Sequence, residues 1–151
     1  MTFVESIKTC LARKFISGQG RASRSEYWWF FLFNFIANLV LNFIPVIGSI
    51  ASLVLTIPGI AVAVRRCHDL NKSGWLIILP YVLLIIGTIL MITAMVGQSE
   101  ALFYIAVGGL ILGGLGFLIL TIFFMFPGTA GPNKYGNAPY VFESAPNAGQ
   151  Q

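Results

Sequence analysis

Long stretches without a charged residue are the feature that most constrains the fold of this chain. They run from Tyr27 to Val64, from Ser73 to Ser99 and from Ala101 to Asn133. A membrane span needs about 20 apolar residues, at about 1.5 Å each, to cross about 30 Å of hydrocarbon. The chain is 57% hydrophobic and 9% charged, whereas about 25% of the residues in a soluble domain are charged. These properties exclude a conventional water-soluble fold and predict an all-α integral membrane protein.

The first uncharged run is too long for one span. Its 38 residues would form about 57 Å of helix, so the run must fold back on itself. Pro45 and Gly48 lie near its middle and favour a turn there. We predict a bundle of four transmembrane helices, with spans at about 27–44, 47–64, 75–96 and 102–126. These spans divide the chain into a cytoplasmic interfacial segment at 1–26, a transmembrane domain at 27–126 and a cytoplasmic tail at 127–151.

The basic residues predict the orientation of the bundle. All nine Lys and Arg residues fall on one side of the predicted spans, and such residues stay on the cytoplasmic side of a membrane. Both termini are therefore predicted to be cytoplasmic. Phe3, Ile7, Leu11 and Phe15 recur every four residues among basic residues, which predicts an N-terminal amphipathic interfacial helix. A short helix packed under the bundle is the alternative.

Three polar segments lie on the predicted cytoplasmic side. They are the N-terminal motif GRASRSEYW at 20–28, the loop motif RRCHDLNKSGW at 65–75 and the C-terminal motif PGTAGPNKYG at 127–136. Together they resemble the bacterial inner-membrane family known as domain of unknown function 805, with its patterns G-R-x-x-R-x-E-[YF]-W, R-R-x-H-D-x-x-x-S-G-W and P/K-G-T-x-G-x-N-x-[YF]-G. The resemblance extends to about Pro139. It implies a small, multi-spanning protein of the bacterial inner (plasma) membrane, and it implies no established activity.

The charged motif residues allow a structural and a functional interpretation. In the structural one, Arg65 and Arg66 extend to lipid headgroups, and Asp69 pairs with Arg65 four residues before it. In the functional one, the motif arginines and Lys134 form a basin for an anionic headgroup. The candidate face for an anionic ligand or a partner comprises Arg21, Arg24, Glu26, Arg65, Arg66, His68, Asp69, Asn133 and Lys134.

A catalytic interpretation has less support. Cys67, His68 and Asp69 are consecutive, but neighbouring helical residues point about 100° apart and do not by themselves form a relay. The sequence also lacks a spacing pattern typical of metal ligands. We therefore predict no catalytic residue, no metal site and no cofactor.

Polar and small residues inside the spans indicate how the helices pack. Asn34, Asn38 and Asn42 recur every four residues, so they form one stripe, which must face protein or water because unpaired amides are costly in lipid. The stripe suits interhelical hydrogen bonds or a polar path for a substrate. Gly109 and Gly113 form a G-x-x-x-G motif, which predicts close helix packing within the bundle or in a homo-oligomer.

These features favour an integral inner-membrane protein that acts as a non-enzymatic scaffold or sensor and binds an anionic lipid headgroup or a partner protein at its cytoplasmic face. One alternative is a small transporter or transporter subunit that uses the asparagine stripe, although the spans contain no ionisable residue of the kind that marks proton or ion routes. Another is a lipid-modifying enzyme centred on His68 and Asp69. Membrane lipids, a second copy or another membrane protein are the expected partners. Nucleic acid is not, since the basic residues flank spans and form no separate patch.

Overall fold

The computed structural model describes residues 1–139, and its regular elements are helices. They are α1 (Phe3–Lys8), a π-helical turn (Thr9–Arg13), α2 (Arg24–Leu41), α3 (Ile47–Asp69), α4 (Trp75–Gly97) and α5 (Glu100–Phe123). The prediction of an all-α architecture is confirmed. The predicted tail at 127–151 is described only as far as Pro139, and the domain boundaries stay a prediction.

Several helix boundaries differ from the predicted spans, and α2 and α3 both extend past a predicted boundary into charged residues. α2 begins at Arg24, where the Ser23 hydroxyl accepts a hydrogen bond from the Glu26 amide at 3.1 Å and caps the helix. α3 continues to Asp69, five residues beyond the predicted end at 64. Arg65, Arg66 and Asp69 at its end are buried and form ion pairs. The helix can therefore continue through these charged residues inside the protein.

Three helices of the described chain, α3, α4 and α5, are long and apolar enough to cross a membrane. The 18-residue α2 is not among them, since Arg24, Glu26 and its asparagines lower its apolar character. The predicted count of four spans is therefore supported for three helices by length and composition.

The turn between α2 and α3 depends on a close backbone approach. A Cβ atom on Gly48 would lie 1.9 Å from the carbonyl oxygen of Leu41, the last residue of α2. The Gly48 amide instead donates to the Ile44 carbonyl at 2.9 Å. Glycine at this position therefore lets α3 start directly beside the end of α2.

Helices α4 and α5 pack through glycines. Gly109 of α5 lies against the backbone of α4, since a Cβ at this position would be 3.7 Å from the Gly87 Cα atom. A Cβ on Gly113 would be 2.8 Å from Leu84 Cγ and 3.2 Å from the Leu84 amide nitrogen. In lipid, helices associate through van der Waals contact, so this glycine face joins α4 to α5.

The apolar core lies at one end of the bundle. The start of α2, the end of α3, the start of α4 and the end of α5 meet there around a cluster that includes Phe30, Val62, Ile77 and Phe124. Away from that end, most large apolar side chains are exposed. This is the pattern expected of helices that present their outer surface to lipid.

Alanine at position 113 should destabilise the protein, whereas alanine at 114 should not. A Cβ at 113 would force Leu84 and the α4 backbone to move, while a Cβ at 114 would meet nothing within 4 Å. We expect Gly113→Ala to lower the free energy of unfolding by about 1–3 kcal/mol. Thermal unfolding in detergent measures the difference, and equal melting temperatures for the two variants would contradict this packing.

Candidate functional site

The three motifs meet at the end of the bundle that holds the core, where they bury five charged side chains. This ion-pair cluster consists of Arg21, Glu26, Arg65, Arg66 and Asp69, each of them at most 5% exposed. It carries three positive and two negative charges. Burial of a charge is costly unless the charge is paired and hydrogen-bonded, so the contacts inside the cluster decide what the motifs do.

Arg65 pairs with Glu26 and so joins α3 to α2. Its carbonyl accepts a hydrogen bond from the Ala22 amide at 3.0 Å, and its Nη2 donates to the Cys10 thiol at 3.6 Å. The predicted pair between Arg65 and Asp69 is wrong, because α2 and the N-terminal segment surround the Arg65 guanidinium. A separation of four residues suggested Asp69 as a partner within the same helix, but it gave no information about Glu26 on α2.

Asp69 accepts hydrogen bonds from two arginines. Arg21 Nε donates to Asp69 Oδ1 at 2.9 Å, and Arg66, one turn earlier in α3, donates to Oδ2. The predicted extension of Arg65 and Arg66 to lipid headgroups is also wrong, since both side chains are 0% exposed. Their carboxylate partners keep them in the protein interior.

Backbone carbonyls accept further hydrogen bonds from the guanidinium groups of Arg21 and Arg66. Arg66 Nη2 donates to the carbonyl of Phe124 at 3.1 Å and to that of Phe126. Arg21 donates to the carbonyls of Thr129 at 2.5 Å and Gly131 at 2.6 Å. The two arginines therefore bind the end of α5 and the C-terminal motif to α3. These carbonyls could not be predicted from the sequence, because every residue has a backbone carbonyl and residue type does not show which one accepts a hydrogen bond.

The C-terminal motif adds its own contacts to the end of α3. The Thr129 amide and hydroxyl both donate to the Asp69 carbonyl, at 2.9 and 3.0 Å. Asn133 Nδ2 donates to the His68 carbonyl at 2.9 Å. A Cβ on Gly128 would lie 2.0 Å from Asp69 Oδ2, so a glycine is required where the chain passes the carboxylate.

His68 belongs to a separate contact at the edge of the cluster. Its ring stacks on Tyr135 with 3.9 Å between centroids, its Nδ1 lies 3.2 Å from the Gly20 carbonyl oxygen, and Lys134 Nζ lies 4.9 Å from the Tyr135 ring centroid. Cys67 is buried in the apolar core. Cys67, His68 and Asp69 thus have three different sets of partners. Among residues 1–139, no three His, Cys, Asp or Glu side chains are grouped to hold a metal ion.

A cleft of about 810 Å³ opens beside the ion-pair cluster. Its charged lining residues are Arg21, Arg24, Arg66 and Asp69, and the C-terminal motif forms much of the remaining wall. Arg24 is exposed, and within residues 1–139 it has no ion-pair partner. Of the five basic residues predicted to form a basin, Arg24 and Lys134 are therefore the two that face solvent.

The asparagine stripe lies along α2, and its first member contacts α3. Asn34 Nδ2 donates to the Leu55 carbonyl at 3.3 Å. Asn38 Nδ2 donates to Asn34 Oδ1 at 2.6 Å, and Asn42 Nδ2 donates to the Asn38 carbonyl at 2.9 Å. The stripe thus supplies one interhelical bond, near the middle of the α2–α3 pair.

The two cysteines are free and buried. Burial raises the pKa of the Cys10 thiol to about 11. A thiol with this pKa is almost fully protonated at neutral pH and reacts slowly with alkylating reagents. A thiol-reactive fluorogenic dye should therefore report unfolding of the native chain.

Replacement of Asp69 by asparagine should destabilise the protein strongly. Arg21 and Arg66 would lose their shared negative charge in a buried site, and breaking such a pair costs about 3–5 kcal/mol. The exposed Glu100→Gln variant at the far end of the bundle is the matched control. We expect the dye to react with Asp69→Asn at a much lower temperature than with the native chain or the control. Equal unfolding temperatures for Asp69→Asn and the native chain would contradict the assigned role of the cluster.

The chain matches known proteins over most of its length. Residues 15–137 match the family described as protein of unknown function (DUF805). The chain is 30% identical over 136 residues to the inner membrane protein YhaI of Escherichia coli K12, covering 84% of this chain and 89% of the relative. It is 25% identical over 142 residues to the inner membrane protein YhaH of the same strain, covering 84% and 90%. No solved structure matches the chain.

The match confirms the resemblance seen in the three motifs and covers all of them. Together with the spanning-length helices, the relatives indicate a multi-spanning protein of the inner membrane. The chain therefore belongs to the DUF805 family of integral inner-membrane proteins.

Proposed function

We propose that this protein crosses the inner membrane four times and binds an anionic lipid headgroup in the cleft at its cytoplasmic face, as a non-enzymatic scaffold or sensor. The observation that carries the proposal is the charge of the cleft. Three guanidinium groups and one carboxylate line it, and the adjoining Arg65–Glu26 pair is neutral. An anionic group would compensate this excess of positive charge.

Arg24 is the residue that would contact the headgroup. It is the arginine of the N-terminal motif that the ion-pair cluster does not use, and it is exposed. It also lines a second recess with Ser25, Trp28 and Met125. An arginine beside a tryptophan at the end of a span is typical of the headgroup level of a membrane.

The pairing of α2 with α3 supports the fourth crossing. The Arg65–Glu26 pair joins the end of α3 to the start of α2, and the Asn34–Leu55 bond joins the middles of the two helices. A helix held antiparallel beside a spanning helix along this length crosses with it. The nine Lys and Arg residues then fall on one side, which favours cytoplasmic termini.

The N-terminal helix is proposed to lie in the membrane interface. The Phe3 ring packs against Trp29 at 5.7 Å between centroids, and Ser6 Oγ donates to the Glu26 carbonyl at 2.6 Å. Lys8 and Arg13 remain exposed. A helix docked at the start of a span, with basic residues outward, suits contact with anionic lipid.

Thiol labelling of whole cells tests the topology. Phe43 is 86% exposed in the α2–α3 turn, and Gln19 is exposed before α2. We expect an impermeant maleimide to label Phe43→Cys from outside the inner membrane and to label Gln19→Cys only after that membrane is opened. The native chain, whose own cysteines are buried, serves as the blank. Labelling of both positions from the same side would exclude a crossing by α2.

Replacement of Arg24 by glutamine tests the headgroup site. The probe is phosphatidylglycerol, present as a minority lipid in phosphatidylcholine nanodiscs, and native mass spectrometry measures how much stays bound. One basic residue at a membrane surface contributes about 1 kcal/mol, or about fivefold in affinity. We expect that loss for Arg24→Gln and no loss for Lys72→Gln, which removes an exposed charge outside the cleft. Equal retention by Arg24→Gln and the native chain would overturn the proposal.

A further inference from the structure

A cavity of about 280 Å³, separate from the cleft, lies within the helix bundle. It is lined by residues of all four long helices, including Tyr27, Phe31, Asn34, Asn38, Tyr81 and Phe117. It shares no lining residue with the cleft, and none of its lining residues is charged. Whatever occupies it is therefore recognised by uncharged groups.

Three polar atoms at this cavity lack partners in the described chain. Tyr27 is 8% exposed, and its hydroxyl, like that of Tyr81, makes no hydrogen bond within residues 1–139. Asn38 uses its amide nitrogen on Asn34, while its Oδ1 accepts no bond from residues 1–139. An unpaired polar group in an apolar environment costs several kcal/mol, so a bound molecule that forms hydrogen bonds with the tyrosine hydroxyls would stabilise this site.

The position of the cavity indicates how the molecule enters. Phe31 is 44% exposed and Phe35 is 56% exposed, and both line the cavity. In a membrane these rings face lipid, so they form a lateral opening. Tyr27 lies three residues after Arg24, and Asn38 lies eleven residues further along α2, or about 16 Å deeper. The cavity thus runs from near the headgroups into the hydrocarbon.

We infer that this cavity binds an uncharged membrane lipid through a hydroxyl or ester carbonyl, held by the hydroxyls of Tyr27 and Tyr81. A lipid hydroxyl or ester carbonyl accepts hydrogen bonds from the two tyrosine hydroxyls. The aromatic walls surround the upper part of the acyl chain. This site is distinct from the proposed headgroup site in the cleft, and the two bind lipids of different charge.

Photocrosslinking in phosphatidylcholine nanodiscs tests the inference. The probe is a diacylglycerol with a diazirine in one acyl chain, and peptide mapping locates the crosslink. Tyr81→Phe keeps the ring and removes the hydroxyl, so we expect about three- to tenfold less labelling. Ala63→Leu fills the cavity and should abolish labelling. Tyr104→Phe, an exposed change on α5 outside this cavity, is the matched control.

Several outcomes would overturn the inference. One is a folded Tyr81→Phe variant that is labelled as strongly as the native chain. Another is a set of crosslinks that map outside α2, α3, α4 and α5. A third is competition by phosphatidylglycerol as strong as that by unlabelled diacylglycerol. The thiol-reactive dye shows whether each variant is folded. If Ala63→Leu does not fold, the extent of labelling in Tyr81→Phe tests the inference by itself. Arg24→Gln should leave diacylglycerol labelling unchanged, which separates this site from the cleft.

Discussion

A buried guanidinium must have both a counter-charge and hydrogen-bond acceptors, and this requirement organises the end of the protein at which the three motifs meet. Asp69 supplies the charge for Arg21 and Arg66, and backbone carbonyls after α5 supply acceptors. Because those carbonyls come from residues 124–131, the C-terminal motif must wrap around the end of α3. Gly128 is needed where the chain passes the carboxylate, since a Cβ there would lie 2.0 Å from Asp69 Oδ2.

The two ends of the bundle are therefore held by different forces. At the charged end, ion pairs and an apolar core join the N-terminal segment to α2, α3, α4 and the end of α5. Along the membrane, the α4–α5 pair depends on close contact at Gly109 and Gly113. Apolar burial gives little drive to helix association in lipid. The ion-pair cluster at one end therefore helps to determine which helices are neighbours.

The family motifs acquire a physical meaning from this arrangement. Arg21, Glu26, Arg65, Arg66 and Asp69 are motif residues, and all five serve the internal cluster. Arg24 and Lys134 are motif residues that face solvent. The proposed ligand sites lie beside the cluster and use groups that it leaves available, namely Arg24 in the cleft and the hydroxyls of Tyr27 and Tyr81 in the bundle. The cluster would fix the shape of the cleft, and residues outside the cluster would contact the ligand.

Hydropathy determined the helical class and the approximate positions of the long helices, and Pro45 and Gly48 indicated the turn between α2 and α3, because the length of an apolar run and the residues that interrupt it are properties of the sequence. The motifs also indicated that distant polar segments belong together. Only the tertiary structure decided that Arg65 pairs with Glu26 and that Arg66 shares Asp69 with Arg21. The tertiary structure alone also provided the backbone carbonyls that bind Arg21 and Arg66. The physical reason is that the partner of a buried charge is chosen by helix packing, and packing brings together residues that sequence separation cannot relate.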